Sequence, residues 1–298
     1  MGVFAIKLLK KLNEKIKIGA CAWTYDDWRG TFYPADLPQN EWLPFYARYF
    51  KAVEIDSTFY AIPSTQTVAH WLDATPDDFS FTCKMPKKIT HEARLRDCDK
   101  LVDKFLDTMA PLRAKLGPIL IQLPPGFRPK RDEMALRDFL FKLPRDFSFA
   151  VEFRHSDWHL PRIVKLLEEE RICWAWSDTS SLAEQNRAPF EFLPQTSQCL
   201  YIRLLGDLKT KYREGARIHR YGKMLWARDS AIESWAIKIE KHLAETNCAF
   251  VFAGNHYEGF SALTAQRLAK ELGGHISLPE IAERTARKTS DEAQLDLL

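Results

Sequence analysis

The chain has 298 residues, of which 46% are apolar, 12% aromatic and 28% charged. This composition offers enough apolar surface to offset the entropy of ordering, which excludes disordered, collagen-like and low-complexity classes, and no apolar run reaches the roughly 18 residues that a membrane span needs. The net charge of +3 is uneven, because residues 1–17 carry +4 and the remainder carries −1. The broad basic footprint that is typical of nucleic-acid-binding proteins is therefore absent from the body of the chain.

The first element in chain order is a basic amphipathic extension, residues 1–16. We expect a segment packed on the domain, with a membrane-surface anchor as the alternative. It lacks the features of a secretory signal. The six cysteines form no CxxC pair, which disfavours a zinc ribbon or a disulfide scaffold and favours the reducing cytoplasm.

Short β-branched or aromatic runs then alternate with amphipathic stretches, which predicts strands alternating with helices. The eight predicted strands are Ile18–Ala22, Ala52–Ile55, Phe79–Lys84, Ile119–Leu123, Phe147–Phe153, Ile172–Ser177, Cys199–Leu204 and Ala249–Ala253. The predicted helices are Trp42–Phe50, Thr65–Leu72, Lys100–Leu116, Asp132–Phe141, Pro161–Glu170, Ser230–Ala244 and Ser261–Leu272. Ser64 is a predicted N-cap, Gly117 and Gly273 are predicted C-caps, and Asp178–Gln198 is predicted to be mostly loop.

This alternation predicts a single (β/α)8 TIM-type barrel over residues 17–275, followed by a mobile C-terminal tail, 276–298. A doubly wound open sheet is the rival fold, but it would usually carry a Gly-rich phosphate loop after an early strand. The sequence has no such loop. We therefore expect the barrel.

Active sites of such barrels lie at the C-terminal ends of the strands, where side chains two residues apart point into one mouth. The polar residues at those positions are Glu54, Asp56, Thr82, Lys84, Gln122, Glu152, Arg154 and Arg203. Carboxylates beside Lys or Arg have displaced pKa values, which acid–base catalysis uses. The alternative is a charge-balanced network that only fills the barrel, for which apolar residues would serve better.

Three further features fall near the same mouth. Histidines His155 and His256, with Glu54, Glu152 and Asp178, are the ligand candidates if a metal is bound, although no HxH or HxxH spacing supports one and we expect none. An aromatic rim is suited to stacking a ring and comprises Trp23, Tyr25, Trp28, Phe59, Tyr60 and Trp158. The loop Gly206–Leu225 is rich in Lys and Arg and is either an anion site or a solvated loop.

Five motifs occur in order along the chain: IGACAWTYDDWRGTFYP (Ile18–Pro34), VEIDSTFYAIPS (Val53–Ser64), KLGPILIQLPPGF (Lys115–Phe127), FAVEFRHSDW (Phe149–Trp158) and YIRLLG (Tyr201–Gly206). Together they resemble the YecE-like family of domains of unknown function. The resemblance implies a bacterial or archaeal cytoplasmic TIM-type barrel without an established activity. It also implies these site residues: Trp23, Tyr25, Glu54, Tyr60, Lys84, Gln122, Glu152, Arg154, His155, Arg203 and Asn255. The chain departs from the family at Leu205, where His is common, and at Gly254, where Asn is common.

Together these observations predict an enzyme of hydrolase or lyase/isomerase class that acts on an anionic, ring-containing small molecule, with no cofactor identified. The predicted catalytic residues are Glu54, Lys84, Glu152, Arg154 and His155, with Glu152 or Glu54 as general base. The predicted substrate-binding residues are Trp23, Tyr25, Tyr60, Gln122, Arg203 and Asn255. A nucleic-acid-binding or endonuclease-like protein and a non-catalytic metabolite binder remain as alternatives. If the enzyme hypothesis holds, Glu152→Gln should abolish turnover and leave thermal stability near wild type.

Overall fold

Eight parallel strands close into one barrel in the order in which they occur along the chain. The structure is a computed structural model that describes residues 15–179, 192–206 and 221–280. Each strand pairs in parallel with the next, and β8 pairs with β1, which closes the sheet. The strands are β1 (Ile16–Cys21), β2 (Ala52–Ile55), β3 (Ser80–Lys84), β4 (Leu116–Gln122), β5 (Phe149–Glu152), β6 (Cys173–Thr179), β7 (Cys199–Gly206) and β8 (Cys248–Ala253). The predicted (β/α)8 barrel is confirmed.

Helices follow the strands around the outside of the barrel. They are α1 (Trp42–Tyr46), α2 (Thr65–Asp73), α3 (Asp99–Met109), α4 (Pro129–Lys142), α5 (Pro161–Glu169), α6 (Asp229–Leu243), α7 (Asn255–Glu258) and α8 (Ser261–Glu271). Ser64 caps α2, since its Oγ accepts a hydrogen bond from the Thr67 amide at 3.1 Å. Gly273 follows α8 with a φ of +72°, the left-handed conformation of a helix C-cap.

The prediction of one helix over Lys100–Leu116 was wrong at its C-terminal end. Helix α3 stops at Met109, and a 3-10 turn over Ala110–Leu112 follows it. Pro111 lacks an amide hydrogen and cannot continue the α-helical ladder, which explains the break. Gly117 is consequently not a C-cap, because it lies inside β4.

Side-chain alternation divides the core into two layers. Val53 and Ile55 belong to the large core between the barrel and its helices, whereas Ala52 lies in a smaller cluster inside the barrel. The interior cluster is made of small, apolar and aromatic side chains, among them Leu120, Ala150, Ala175, Tyr201, Phe250 and Phe252. Alternate side chains along each strand thus face either the barrel interior or the helices. The polar side chains near the C-terminal ends of the strands that face the interior therefore lie in the mouth.

Four predicted segments fall mainly outside the described residues. They are the N-terminal extension up to residue 14, the loop over 180–191, the basic loop over 207–220 and the tail from 281 onward. Strand β6 ends at Thr179, two residues after the predicted end at Ser177. No helix in the described part of the chain is both long and apolar enough to cross a membrane.

Candidate active site

The side chain of Arg203 lies at the centre of the barrel mouth and is 1% exposed. It donates from Nη2 and Nε to the two carboxylate oxygens of Glu54, at 2.6 and 2.9 Å. Its Nη1 contacts Glu152 and also lies 3.3 Å from Oε1 of Gln122. Burial alone would lower the pKa of Arg203, but the charges of Glu152 and Glu54 raise it well above its usual value. The guanidinium is therefore a fixed cation.

Glu152 lies between two arginines and has no exposed surface. It accepts from Arg203 on one oxygen and is paired with Arg154 on the other. Burial raises the pKa of a carboxyl group, but the positive charges of Arg154 and Arg203 outweigh it and lower the pKa of Glu152 to about 2. Arg154 is itself oriented by Oε1 of Gln122, at 3.2 Å from its Nη2.

Tyr201 completes this network and is not among the site residues predicted from the sequence. Its hydroxyl donates to Oε2 of Glu54 at 2.7 Å and lies 2.9 Å from Oγ1 of Thr82. Tyr201 and Arg203 therefore both donate to the Glu54 carboxylate, which also contacts the side chain of Asp56. The signal was available, because Tyr201 lies two residues before Arg203 on β7 and alternation puts both inside the barrel.

A second ion pair lies at the edge of the mouth. Nζ of Lys84 is 2.8 Å from Oδ1 of Asp56, and their side chains are 12% and 36% exposed. Burial would raise the pKa of Asp56, but Lys84 and Arg203 lower it overall, so the carboxylate stays ionised. The Lys84 ammonium also lies 5.8 Å from the centre of the Phe59 ring.

These groups surround a cavity of about 420 Å³ at the C-terminal ends of the strands. It is lined by Cys21, Tyr25, Asp56, Phe59, Tyr60, Lys84, Gln122, Arg154, Arg203, Leu205, Tyr221, Gly254, Asn255 and His256. Three of these side chains are cations, and Asp56 is the one carboxylate among them. Glu54 and Glu152 lie behind the arginines, away from the wall. The wall itself therefore carries three cations and one carboxylate, and the two carboxylates behind it balance the charge of the network.

Seven of the eleven predicted site residues line this cavity: Tyr25, Tyr60, Lys84, Gln122, Arg154, Arg203 and Asn255. The others do not. Trp23 packs edge-on against Trp71 of α2, with ring centroids 6.0 Å apart. His155 accepts a hydrogen bond from the Asp157 amide at Nδ1 and caps a short turn instead of facing the mouth.

Asn255 contributes an unpaired donor. Its Oδ1 accepts from the amide and the hydroxyl of Ser261, at 2.9 and 2.7 Å. These bonds fix the side-chain orientation, and Nδ2 is then buried without a hydrogen-bond partner among the described residues. A buried unpaired donor is costly, so its position on a cavity wall suits a ligand acceptor.

The possible metal ligands named from the sequence do not converge. Asp178 lies on the outer face of β6, where its Oδ2 accepts from Trp235 of α6 and from Tyr257, both at 2.9 Å. His256 does line the cavity, with its ring nitrogens 3.3 Å from the Tyr221 hydroxyl. Within the described ranges, no group of three or more His, Cys, Asp or Glu side chains is placed to hold a metal ion.

The fold and the site define a (β/α)8-barrel protein whose ionic network opens into one cavity at the C-terminal face. The chain belongs to the family described as "Protein of unknown function DUF72", whose model matches residues 17–288. This confirms the resemblance to YecE-like proteins.

Relatives and solved structures agree with this membership. The chain is 41% identical to the UPF0759 protein YecE of Escherichia coli K12 over 143 residues, and this match spans 48% of the chain and 50% of YecE, about half of each. It is 29% identical to the UPF0759 protein YunF of Bacillus subtilis over 276 residues, 86% of the chain and 94% of YunF. A crystal structure of a DUF72 family protein from Thermotoga maritima matches with a TM-score of 0.71 and 25% identity, covering 87% of this chain and 99% of that one.

Proposed function

We propose that this protein is an enzyme that binds an anionic, ring-containing small molecule in the barrel mouth and acts on it as a hydrolase or a lyase/isomerase. The observation that carries the proposal is the arrangement of charge: Lys84, Arg154 and Arg203 face the cavity, while Glu54 and Glu152 lie behind them. Arginine and lysine held in this way form strong charge-assisted hydrogen bonds with carboxylates or phosphates.

The cavity also supplies groups that fit a ring. Tyr60 is 70% exposed at the rim, and Phe59 beside it packs edge-on to it with ring centroids 5.2 Å apart. An aromatic ring of a ligand gains area burial and stacking against such side chains. Nδ2 of Asn255 would donate to a carbonyl, hydroxyl or ring acceptor of the same ligand.

Exposure favours Asp56 for proton transfer. Of the carboxylates that the structure describes, Asp56 is the one on the cavity wall, and it is ionised beside Lys84. A general base must come within hydrogen-bond distance of the proton that it removes. In this proposal Asp56 is the base and Lys84 its charge partner, whereas Glu54 and Glu152, predicted from the sequence as bases, are positioning residues for the arginines.

Anion binding is tested with matched lysine variants. Lys84→Gln and Lys142→Gln each break a Lys–Asp pair with an Nζ–Oδ distance of 2.8 Å, but Lys142 lies on α4, away from the mouth. Thermal shift and calorimetry would use p-nitrophenyl phosphate, benzoate and glucose 6-phosphate, with benzyl alcohol as the uncharged probe. We expect Lys84→Gln to raise the Kd of an anionic probe at least about 10-fold and Lys142→Gln to leave that Kd unchanged. Equal binding of benzyl alcohol, or no effect of Lys84→Gln, would contradict the proposal.

Turnover separates an enzyme from a metabolite-binding protein. Asp56→Asn keeps the shape of the side chain and removes its basicity. We expect kcat on a bound anionic substrate to fall at least about 100-fold while Kd changes by a few-fold, as general-base catalysis contributes that much. Saturable binding by the wild type without turnover of any bound compound would assign the protein to the non-catalytic class.

The proposed compartment is the reducing cytoplasm. The six cysteines are free thiols in the structure. Structural disulfides are typical of secreted proteins, so six unpaired cysteines among the described residues support the proposal of a cytoplasmic protein.

A further inference from the structure

Three cysteines lie together at the end of the barrel opposite the mouth. Cys173, Cys199 and Cys248 are the first residues of β6, β7 and β8. Cys199 is in direct register with Cys248, and the Cys173 thiol lies 3.1 Å from the Cys199 carbonyl oxygen. All three pack with the cluster inside the barrel. They are separated from the proposed substrate cavity by the full length of the strands.

Two of these thiols are in contact. The Sγ atoms of Cys199 and Cys248 are 2.8 Å apart. Neighbouring strands lie about 4.8 Å apart, and disulfides form where the Cα atoms are about 4.4–6.8 Å apart. The pair can therefore be bridged without moving the backbone. The Cys173 thiol is bound to a carbonyl oxygen, and no three His, Cys, Asp or Glu side chains in the described ranges are placed to hold a metal ion, so the contact favours thiol chemistry over metal binding.

The pair is accessible to small molecules. Cys199 and Cys248 are both partly exposed, in contrast to the buried cysteines at 21, 83, 98 and 173. They line a cavity of about 490 Å³ at this end of the barrel, together with Asn247 and residues 196–198. A reagent the size of a peroxide can reach them from this side.

The two thiols are chemically different. The side-chain contact with Cys199 and the positive charge of Lys17 lower the pKa of Cys248 despite its burial. The pKa of Cys199 is raised by the same contact and by burial, so Cys199 keeps its proton when Cys248 ionises. Lys17 is held beside them on β1 by Oγ of Ser80, at 2.6 Å from its Nζ. This is the arrangement of a reactive thiolate with a resolving thiol.

We propose that Cys248 and Cys199 form a reversible dithiol–disulfide site that reacts with hydrogen peroxide or a small organic hydroperoxide. The Cys248 thiolate attacks one peroxide oxygen, the O–O bond breaks, and a sulfenic acid forms on Cys248. The leaving hydroxide or alkoxide takes up, through solvent, the proton that Cys248 released on ionising, and becomes water or an alcohol. The Cys199 sulfur then attacks the sulfenic sulfur. An S–S bond forms, and the sulfenic oxygen leaves with the proton of Cys199 as water. The two thiols are oxidised by two electrons, and the peroxide is reduced.

The wild-type chain tests this directly. The reduced protein is treated with one equivalent of hydrogen peroxide, denatured in a maleimide reagent, and analysed by intact mass and peptide mapping. We expect two of the six thiols to become unreactive, a cross-link between the peptides of Cys199 and Cys248, and full recovery with dithiothreitol. Six reactive thiols after treatment, or a different cross-link, would overturn the proposal.

Variants separate the two roles. With Cys199→Ser we expect dimedone to trap a sulfenic acid on Cys248, and with Cys248→Ser neither a trapped adduct on Cys199 nor a cross-link. Cys98→Ser is the matched control, since Cys98 is buried and lies outside the three-cysteine cluster. It should leave the wild-type reaction unchanged. Oxidation of Cys98 as fast as that of Cys248 would show unselective chemistry and contradict the assignment.

Discussion

A single guanidinium joins the two buried carboxylates of the mouth. Arg203 binds Glu54 and Glu152, which come from strands on different sides of the barrel. A buried ion pair adds little net stability over a well-packed apolar core, but removing one partner leaves an uncompensated charge. The network thus adds little stability compared with apolar packing, but it fixes the orientation of the arginine side chains.

The first prediction compares two variants of the site. Glu54→Gln is expected to lower the free energy of unfolding by about 3–5 kcal/mol, because Arg203 loses a partner in a fully buried position. Lys84→Gln should cost less than Glu54→Gln, because the Lys84–Asp56 pair lies at the cavity wall and Asp56 keeps partial contact with solvent. Urea denaturation of both variants checks the difference. Equal losses would show that burial does not distinguish the two pairs.

The second prediction concerns acid stability. The pKa of Glu152 falls from an ordinary value of 4.5 to about 2 in the folded protein. A lowered folded-state pKa stabilises the protein above the unfolded value, and this contribution is lost as the pH falls from about 4.5 towards 2. Unfolding curves measured across that range should therefore lose stability more steeply for the wild type than for Glu152→Gln. Parallel pH profiles would argue against an ionised, paired Glu152.

The pairing of Glu152 also changes one expectation from the sequence. From the sequence, a catalytic Glu152 predicts that Glu152→Gln loses turnover but keeps its thermal stability, whereas a structural Glu152 predicts a loss of stability. With two arginines on Glu152, the variant should lose stability whether or not the site is catalytic. Lys84, Asp56 and Asn255, which face the cavity, are the better positions for testing function.

At the scale of elements, strand alternation predicted most of the site. It placed Lys84, Gln122, Arg154 and Arg203 in one mouth because parallel strands end at the same rim. The same alternation also predicts the orientation of Asp178. Ala175 faces the barrel interior, so Asp178, three residues later on β6, faces the surrounding helices. The pattern does not predict how far each side chain lies from the cavity wall. Whether a carboxylate reaches the wall or lies behind an arginine depends on side-chain packing, which spacing alone does not encode.

The third prediction uses two glycines of neighbouring strands: Gly19 lies within β1, and Gly254 directly follows β8. A Cβ on Gly19 would lie 1.9 Å from the Ala52 carbonyl oxygen and 2.9 Å from the Tyr46 hydroxyl. That hydroxyl is fixed, because it accepts from the Ala20 amide and donates to Ala52. Gly19→Ala should therefore lower the melting temperature strongly, by several degrees at least.

Gly254→Ala is the matched control for that variant. A Cβ on Gly254 meets Leu205 at 3.4 Å, an ordinary van der Waals contact, and its backbone is extended. We expect a melting temperature near that of the wild type. A large fall in the melting temperature of Gly254→Ala would show that the cavity wall has less space for a methyl group at this position than the distances indicate.

The fourth prediction rests on charge over the whole molecule. Nucleic-acid binding requires many phosphate contacts and therefore depends steeply on salt. The chain outside residues 1–17 carries −1 overall. We expect no salt-dependent binding of a labelled single-stranded oligonucleotide between 50 and 200 mM salt, by fluorescence anisotropy. Binding that weakens about 1,000-fold across this range would favour the nucleic-acid alternative instead.

The ion network also bears on the order in which the chain folds. Arg203 and Glu54 are 149 residues apart in sequence, and Tyr201 is 119 residues from Thr82. Contacts that close such long loops carry a large entropic cost, so they form after the local strand–helix units. We therefore expect the mouth to be assembled late, when β7 joins the first half of the barrel. Substitutions at Tyr201 should accelerate unfolding and barely slow refolding, which stopped-flow kinetics would register as φ values near zero.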